Sequence, residues 1–161
     1  MDDQSDLPFT SPGRDRYFED YEQGAVHILG TVTADEDEML AFASLYDPQD
    51  IHISPEEAAK GPFGAIIASG WYTAGLMMRL FARHYLSNVS SLSSPGLTDL
   101  KWPTPVFAGD ELTVRLTIES TRRSKSDPSR GIVQSAVEVT NQKGAVVMSV
   151  KGVNFIACRT S

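Results

Sequence analysis

Cysteine is almost absent from this chain of 161 residues, because Cys158 is the only one. A single cysteine excludes an internal disulfide and a zinc cluster ligated by cysteines. Near the end of a predicted strand, it is typical of a small buried residue. Basic residues are also few: 14 Lys and Arg stand against 21 Asp and Glu, and the formal net charge is −7. This balance disfavours binding to nucleic acid, and no stretch forms a basic groove.

The chain also lacks an apolar run suited to a membrane span. The best candidate, residues 66–86, is interrupted by Ser69, Gly70, Arg79 and Arg83. Such interruptions favour a helix buried inside a protein. The first residues are acidic and lack the apolar core of a secretory signal. We therefore expect a cytoplasmic protein that does not associate with a membrane.

The length of the chain favours one domain with its own core. Residues 1–16 are polar and contain Pro and Gly, which predicts a flexible N-terminal segment. The remainder, 17–161, shows one strand pattern, then helices, then four strand patterns, with no internal repeat. This order predicts an α+β fold in which a curved antiparallel sheet wraps around one long buried helix.

Caps and chain breaks predict where the helices begin and end. Thr33 and Glu36 form a capping-box pattern at the start of a helix that ends before Pro48. Ser54 is the predicted N-cap of a short helix. The long helix, over residues 69–85, is apolar nearly all round, which indicates burial on most of its sides.

The second half of the chain alternates apolar and polar residues, as strands do. Two prolines interrupt the strand predicted over 96–107, which is therefore an edge or bulged strand. The clearest alternation, over 112–119, predicts a regular strand. In the last strand, 145–157, the alternation slips at Gly152, where we expect a bulge.

The segment Asp47-Pro48-Gln49-Asp50-Ile51-His52 is the strongest indication of chemistry. It places a carboxylate and an imidazole five residues apart in a turn that can aim both into one cleft, whereas a helix would hold them about 140° apart. Imidazole titrates at about pH 6.5, so such a pair can transfer protons at neutral pH. On its own the segment also fits a structural turn, because Asp before Pro commonly starts one.

Four motifs together resemble the MaoC-like dehydratases, hotdog-fold relatives of the (R)-specific enoyl-CoA hydratases. They are Tyr17-Phe18-Glu19-Asp20-Tyr21 with Gly24, the segment Asp47 to His52, Phe63-Gly64 with Ala68-Ser69-Gly70, and Pro105-Val106-Phe107-Ala108-Gly109-Asp110. The resemblance implies a single hotdog domain over 17–161. It also implies a homodimer or dimer of dimers, whose sheets join and whose coenzyme A thioester binds near the subunit interface.

By this resemblance, Asp47 and His52 form the catalytic pair, and the backbone N–H of Gly70 donates to the thioester oxygen. Substrate contacts fall on Gln49, Phe63, Gly64, Ser69 and Trp71. The implied activity is that of an enoyl-CoA hydratase or 3-hydroxyacyl-CoA dehydratase, a hydro-lyase that needs no cofactor and no metal. A glycine at a helix N-terminus suits such a role because it offers an unpaired N–H and the positive end of the helix dipole.

Departures from the family pattern leave other functions open. Gln49 and Ser69 stand where the motifs have Asn and His, Asp50 stands where they have Pro, and Met78 stands where some members carry a serine. Asp50 and Met78 favour a non-catalytic hotdog module that binds acyl thioesters or serves as a dimerisation partner. A hotdog thioesterase is a third interpretation, against which Asp and His at the hydratase spacing argue.

Several side chains fit both a structural and a functional interpretation. Ser69 fits a helix N-cap or a substrate contact, and Trp71 fits packing or a pocket wall. Four cationic residues around one hairpin fit a solvated loop or a contact with the coenzyme A phosphates; they are Arg122, Arg123, Lys125 and Arg130. His27 and His84 are expected to be structural or at the surface.

Overall fold

The structure of the protein is a computed structural model that describes Phe9 and residues 13–160. In chain order the elements are a short 3-10 turn (Phe18–Asp20), β1 (Val26–Thr33), α1 (Glu36–Tyr46), α2 (Asp50–Ile53), α3 (Pro55–Lys60), α4 (Gly70–His84), β2 (Ser91–Lys101), β3 (Glu111–Arg123), β4 (Arg130–Thr140) and β5 (Val146–Ala157). The strands form one five-stranded antiparallel sheet in the order β1-β3-β4-β5-β2. The predicted order of one strand, helices and four strands is confirmed.

One face of the sheet packs on α4, and the core lies between them. The inward residues of β3 alternate along the strand and are fully buried; they are Leu112, Val114, Leu116 and Ile118. The helix contributes Tyr72, Leu76, Met77, Leu80 and Phe81 to the same cluster. Each fully buried side chain of this kind contributes about 1.5–3 kcal/mol. A sheet packed around one long helix is the hotdog fold predicted from the motifs.

The expectation that α4 is buried on most of its sides is wrong for the single chain. Trp71, Gly75, Met78 and Ala82 recur every three or four residues along α4 and are exposed. Residues at this spacing form one continuous face of a helix. We refer to these four residues as the exposed stripe of α4. Within the described part of the chain, the sheet covers the opposite face of the helix and leaves this one open.

Helix α1 begins later than its capping-box pattern predicts. Asp35 rather than Thr33 is the N-cap, and its Oδ1 accepts a hydrogen bond from Glu38 N at 2.9 Å. Thr33 instead ends β1 and pairs with the first residue of β3. Strand pairing therefore prevails over the local capping signal. The N-caps predicted at Ser54 and Ser69 are confirmed.

Strand β2 lies at the edge of the sheet, as predicted, although the two prolines that suggested this follow the strand. It spans Ser91–Lys101 rather than 96–107 and ends before Pro103. Phe107, at the end of the predicted strand, forms only an isolated bridge with Ile67. Most residues of β2 are exposed on both faces of the strand, so one row of its backbone N–H and C=O groups is available for pairing.

The prediction of a bulge at Gly152 is wrong. Gly152 pairs in regular register with Ser135 of β4. The register of β4 and β5 shifts instead between Val139 and Thr140 of β4. These two residues pair with Met148 and Val146, so Val147 is the extra residue on β5. Val147 and Met148 are consequently both buried, although neighbouring residues of a regular strand face opposite sides.

Most of the predicted flexible segment, 1–16, lies outside the described residues. The described part contacts the domain. Phe9 stacks on the His27 ring, with the ring centroids 4.0 Å apart. The guanidinium of Arg16 is buried and donates to the backbone carbonyls of His84 and Tyr85 at 3.0 Å each.

Candidate active site

The junction of α1 and α2 brings Asp47 and His52 together. Asp47 is the C-cap of α1, which ends there because the following Pro48 disfavours a helical conformation at the residue before it. Helix α2 begins at Asp50 and carries His52. His52 Nε2 lies 3.3 Å from Asp47 Oδ2. The turn therefore aims both side chains into one place, as their spacing predicts, although His52 itself lies on a short helix.

The hydrogen bond at the other ring nitrogen determines the tautomer of His52. The imidazole is 6% exposed, and its Nδ1 lies 2.7 Å from the carbonyl oxygen of Ile67. A carbonyl oxygen can only accept, so Nδ1 carries a proton. In the neutral ring, Nε2 then presents a lone pair beside Asp47. This arrangement suits an O–H group that donates to Nε2, to the carboxylate, or to both in turn.

Two neighbours hold the Asp47 carboxylate. Gln49 Nε2 donates to Oδ1 at 2.6 Å, and Ser69 Oγ donates to Oδ2 at 2.7 Å. These hydrogen bonds, that from Gln49 first and that from Ser69 second, lower the pKa of Asp47 below its ordinary value. The carboxylate is therefore ionised at neutral pH. In this structure the side chains of Gln49 and Ser69, expected to contact substrate, contact Asp47.

Gly70 begins α4 directly after the Ser69 N-cap. The first N–H groups of a helix have no partner within the helix and lie at the positive end of its dipole. The Trp102 ring lies against Gly70: a Cβ at this position would be 2.6 Å from Trp102 Cε2. Trp71 stands edge-on to Trp102, with the ring centroids 5.2 Å apart. Glycine is thus required here by the indole packed on it, and it also permits close approach to the backbone.

Asp47, His52 and Gly70 line one cleft of about 460 Å³. The side chains at its mouth are exposed; they are Gln49, Phe63, Trp71 and Trp102. The buried residues that line it form its inner wall; they are His52, Ile67, Ala68, Thr73, Val106 and Val147. The walls are largely apolar, and the polar groups converge at one point. This combination is typical of a site for a small molecule.

Four residues singled out from the sequence do not line the cleft; they are Asp50, Gly64, Ser69 and Met78. Other residues that line it were missed, Trp102 and Val147 among them. Gly64 is exposed outside it, with a positive φ of 71°. Met78 lies on the exposed stripe of α4 and does not line it. Trp102 lines the cleft but was missed, because a Trp at the end of a strand pattern is typical of sheet packing. The prolines after it were the available signal, since they end the strand and turn the chain away from the sheet.

None of the four cationic residues of the β3–β4 hairpin lines this cleft. Arg123 is the last residue of β3, at the hairpin end of that strand. Arg123 donates to Glu19 at 2.9 Å, and Arg130 lies 3.6 Å from Asp127. These contacts favour the structural interpretation of the hairpin within the single chain.

The other candidate residues are also outside the cleft. His27 is buried beneath Phe9, His84 is exposed in the last turn of α4, and burial raises the pKa of the Cys158 thiol. Across Phe9 and residues 13–160, no three His, Cys, Asp or Glu side chains are grouped so that they could hold a metal ion. Over the same residues, no helix is both long and apolar enough to cross a membrane.

Comparison with known proteins agrees with this description. A family model described as "MaoC like domain" matches residues 20–142. The chain is 36% identical over 111 residues to 3-hydroxyacyl-thioester dehydratase Z of Mycobacterium tuberculosis, covering 68% of this chain and 70% of that protein. It is 35% identical over 107 residues to 3-hydroxybutyryl-CoA dehydratase of Methylorubrum extorquens, covering 63% of each. The crystal structure of a MaoC-like dehydratase from Rhodospirillum rubrum has a TM-score of 0.83 and 32% identity, over 91% of this chain and 99% of that one.

A hotdog fold with this match defines the class of the protein: the chain belongs to the MaoC-like dehydratase family. The resemblance seen in the four motifs is confirmed. Because the named relatives are dehydratases, the findings support a hydratase or dehydratase role, which is hydro-lyase chemistry.

Proposed function

We propose that the protein hydrates 2-enoyl-CoA thioesters and, in reverse, dehydrates 3-hydroxyacyl-CoA thioesters, with Asp47 and His52 as the catalytic pair. The observation that carries this proposal is the 3.3 Å approach of His52 Nε2 to Asp47 Oδ2 in a cleft also lined by Gly70. The name of the Methylorubrum extorquens relative supports coenzyme A as the thiol carrier.

The geometry suits addition of one water molecule across the double bond. A water held between Asp47 and His52 attacks Cβ, its oxygen forming the new bond while a proton passes to the Nε2 lone pair of His52. The π electrons of the double bond move towards the thioester, giving an enolate. The imidazolium then returns the proton to Cα, which completes the addition. Correctly placed acid–base groups of this kind contribute roughly 10²–10⁴-fold in rate.

Asp47 and Gly70 have supporting roles in this scheme. The ionised carboxylate of Asp47 orients the water and stabilises the imidazolium beside it. The Gly70 N–H, at the positive end of α4, donates to the thioester oxygen as negative charge develops there. Removal of one preorganised donor of this type costs an enzyme about 2.7–4 kcal/mol of transition-state stabilisation.

The departures that favoured a non-catalytic module do not touch the proposed chemistry. Asp50 is exposed at the first position of α2 and does not line the cleft. Met78 lies on the exposed stripe of α4. Both residues differ from the family pattern outside the region where Asp47 and His52 meet, which supports the enzyme over the binding module.

We also propose that the protein is a homodimer, formed by pairing of β2 with its copy and by burial of the exposed stripe of α4. Strand β2 offers an unpaired edge, and Leu97 on it is 58% exposed. Trp71 and Met78 are 57% and 45% exposed. An unpaired strand edge and a stripe of exposed apolar side chains each mark an interaction surface. A dimer of dimers stays a prediction.

A crotonyl-CoA assay with two readouts tests the activity. Loss of the enoyl absorbance without release of free thiol is the expected result. Thiol release would instead indicate a thioesterase. Absence of both with crotonyl-CoA and with a panel of short, branched and dicarboxylic enoyl thioesters, despite binding measured by calorimetry, would replace the enzyme with the binding module.

A further inference from the structure

The inner wall of the cleft contains a residue that only the bulge in β5 places there. In a regular strand, Val147 would lie on the face of the sheet opposite to Met148, the outer face that carries Ser149 and Lys151. The extra residue opposite Val139 and Thr140 turns Val147 inward, where it is fully buried and lines the cleft. Bulges next to functional sites commonly re-aim one side chain in this way.

Only the first turn of α4 lines the cleft. The residues of α4 that line it are Gly70, Trp71 and Thr73, whereas Leu76 and Met77 of the next turn do not. Three residues of helix correspond to about 4.5 Å. A carbon chain with bonds of about 1.5 Å fits about three carbons into that length. An acyl group that runs along this turn from a carbonyl held at Gly70 therefore has room for about four carbons.

We propose that Val147 determines acyl-chain length by closing the inner end of this cleft, and that the substrates are short 2-enoyl or 3-hydroxyacyl thioesters. The inference rests on the proposed function, because it places the thioester carbonyl at Gly70. Thr73 and Val106 also belong to the inner wall, but neither depends on the bulge: Thr73 lies on α4, and the carbonyl oxygen of Val106 accepts from Ala68 N at 2.8 Å. Val147 is the wall that the bulge adds.

The test compares kcat/KM for the four-, six- and eight-carbon 2-enoyl-CoA thioesters. Wild type is expected to prefer the four-carbon substrate. Val147→Ala should raise the ratio of six-carbon to four-carbon kcat/KM about tenfold, because one methylene in an apolar pocket changes kcat/KM by about 10–200-fold. Val147→Ile, which adds a methylene, should lower that ratio. The matched control is Val133→Ala, an equal truncation of a fully buried valine that does not line the cleft, and its ratio should stay within twofold of wild type.

The outcomes separate this inference from the proposed function. A wild type that hydrates the four-carbon thioester but prefers the eight-carbon one overturns the role of Val147. The role of Val147 is also overturned if the six-carbon to four-carbon ratio of kcat/KM is the same in Val147→Ala as in Val133→Ala. If Val147→Ala does not fold, as judged by circular dichroism, an unchanged ratio in Val147→Ile overturns it in the same way. A wild type inert towards all three thioesters overturns the proposed function, and the inference with it.

Discussion

Ser69 Oγ donates a hydrogen bond to Asp47 Oδ2 at 2.7 Å, joining two residues that are 22 positions apart in the chain. The same oxygen accepts from Trp71 N at 3.3 Å as the N-cap of α4. One hydroxyl thus connects the proposed catalytic carboxylate to the start of the helix that carries Gly70. The sequence offered a cap or a substrate contact as interpretations of Ser69; the cap is present, together with a contact to Asp47.

Replacing Ser69 should impair both the fold and the chemistry. Ser69→Ala removes an N-cap, which costs about 0.5–2 kcal/mol of stability. It also removes the hydrogen bond that positions Asp47 Oδ2, so kcat should fall about tenfold because the carboxylate is less well oriented. Ser54→Ala is the control, because it removes the N-cap of α3 and leaves Asp47 untouched. Equal kcat in the two variants would mean that the Ser69–Asp47 hydrogen bond has no catalytic role.

Asp47→Asn and His52→Gln should separate catalysis from binding. Each keeps the size of the side chain and removes its proton-transfer or charge function, so kcat should fall at least about 10²-fold. Affinity for a saturated acyl-CoA, measured by calorimetry, should change only a few-fold. The double variant should be hardly slower than the slower single variant, because both residues act on one water. Multiplicative losses would indicate that the two residues act independently.

The depressed pKa of Asp47 makes a prediction about stability against pH. A carboxyl whose folded-state pKa lies below its unfolded value stabilises the fold above the unfolded value, about 3.9 for Asp. That contribution is lost as pH falls through the folded-state pKa. The Tm difference between wild type and Asp47→Asn should therefore be largest near neutral pH and shrink below about pH 4. A difference that is constant from pH 7 to pH 3 would contradict the assigned hydrogen bonds.

The Gly70–Trp102 contact predicts a coupling between the two positions. Gly70→Ala should destabilise the protein by about 1–3 kcal/mol, because its Cβ would collide with the indole. In a Trp102→Ala background the same change should cost much less, and denaturant unfolding measures both. The Trp102→Ala background is itself the control, because it removes the indole that the added Cβ would meet and keeps the rest of the helix. Gly70→Pro is a poor probe of the N–H, since proline also carries a Cβ.

The homodimer can be tested at its proposed interface. Wild type should have the mass of two chains by light scattering at micromolar concentration. Met78→Glu places a charge on the exposed stripe of α4 and should shift the protein towards monomer. Leu45→Glu introduces the same charge at a residue that is 73% exposed at the end of α1, and it should leave the mass unchanged. A monomeric wild type would rule the dimer out.

Local signals predicted much of this structure, and tertiary contacts explain the rest. Alternation in β3 and the caps at Ser54 and Ser69 depend on neighbours in sequence, so they were predictable. The start of α1 was misplaced because pairing of Thr33 with β3 is a long-range contact. Trp102 and Val147 reach the cleft through the end of an edge strand and a bulge. Such features depend on which strands pair, and a single sequence does not reveal this.

Arg16 bears on where a shortened version of this protein can safely start. Its guanidinium donates to the carbonyls of His84 and Tyr85, at the negative end of α4. The backbone carbonyl of Arg16 accepts a hydrogen bond from Ser90 Oγ at 2.7 Å. A truncation placed at the first motif, Tyr17, would remove this cation from a position that is 5% exposed. Helix α4 would then keep its N-cap, Ser69, and lose the guanidinium that donates to the carbonyls at its other end. The hydrogen bonds that hold the end of α4 therefore include a residue that precedes the first motif.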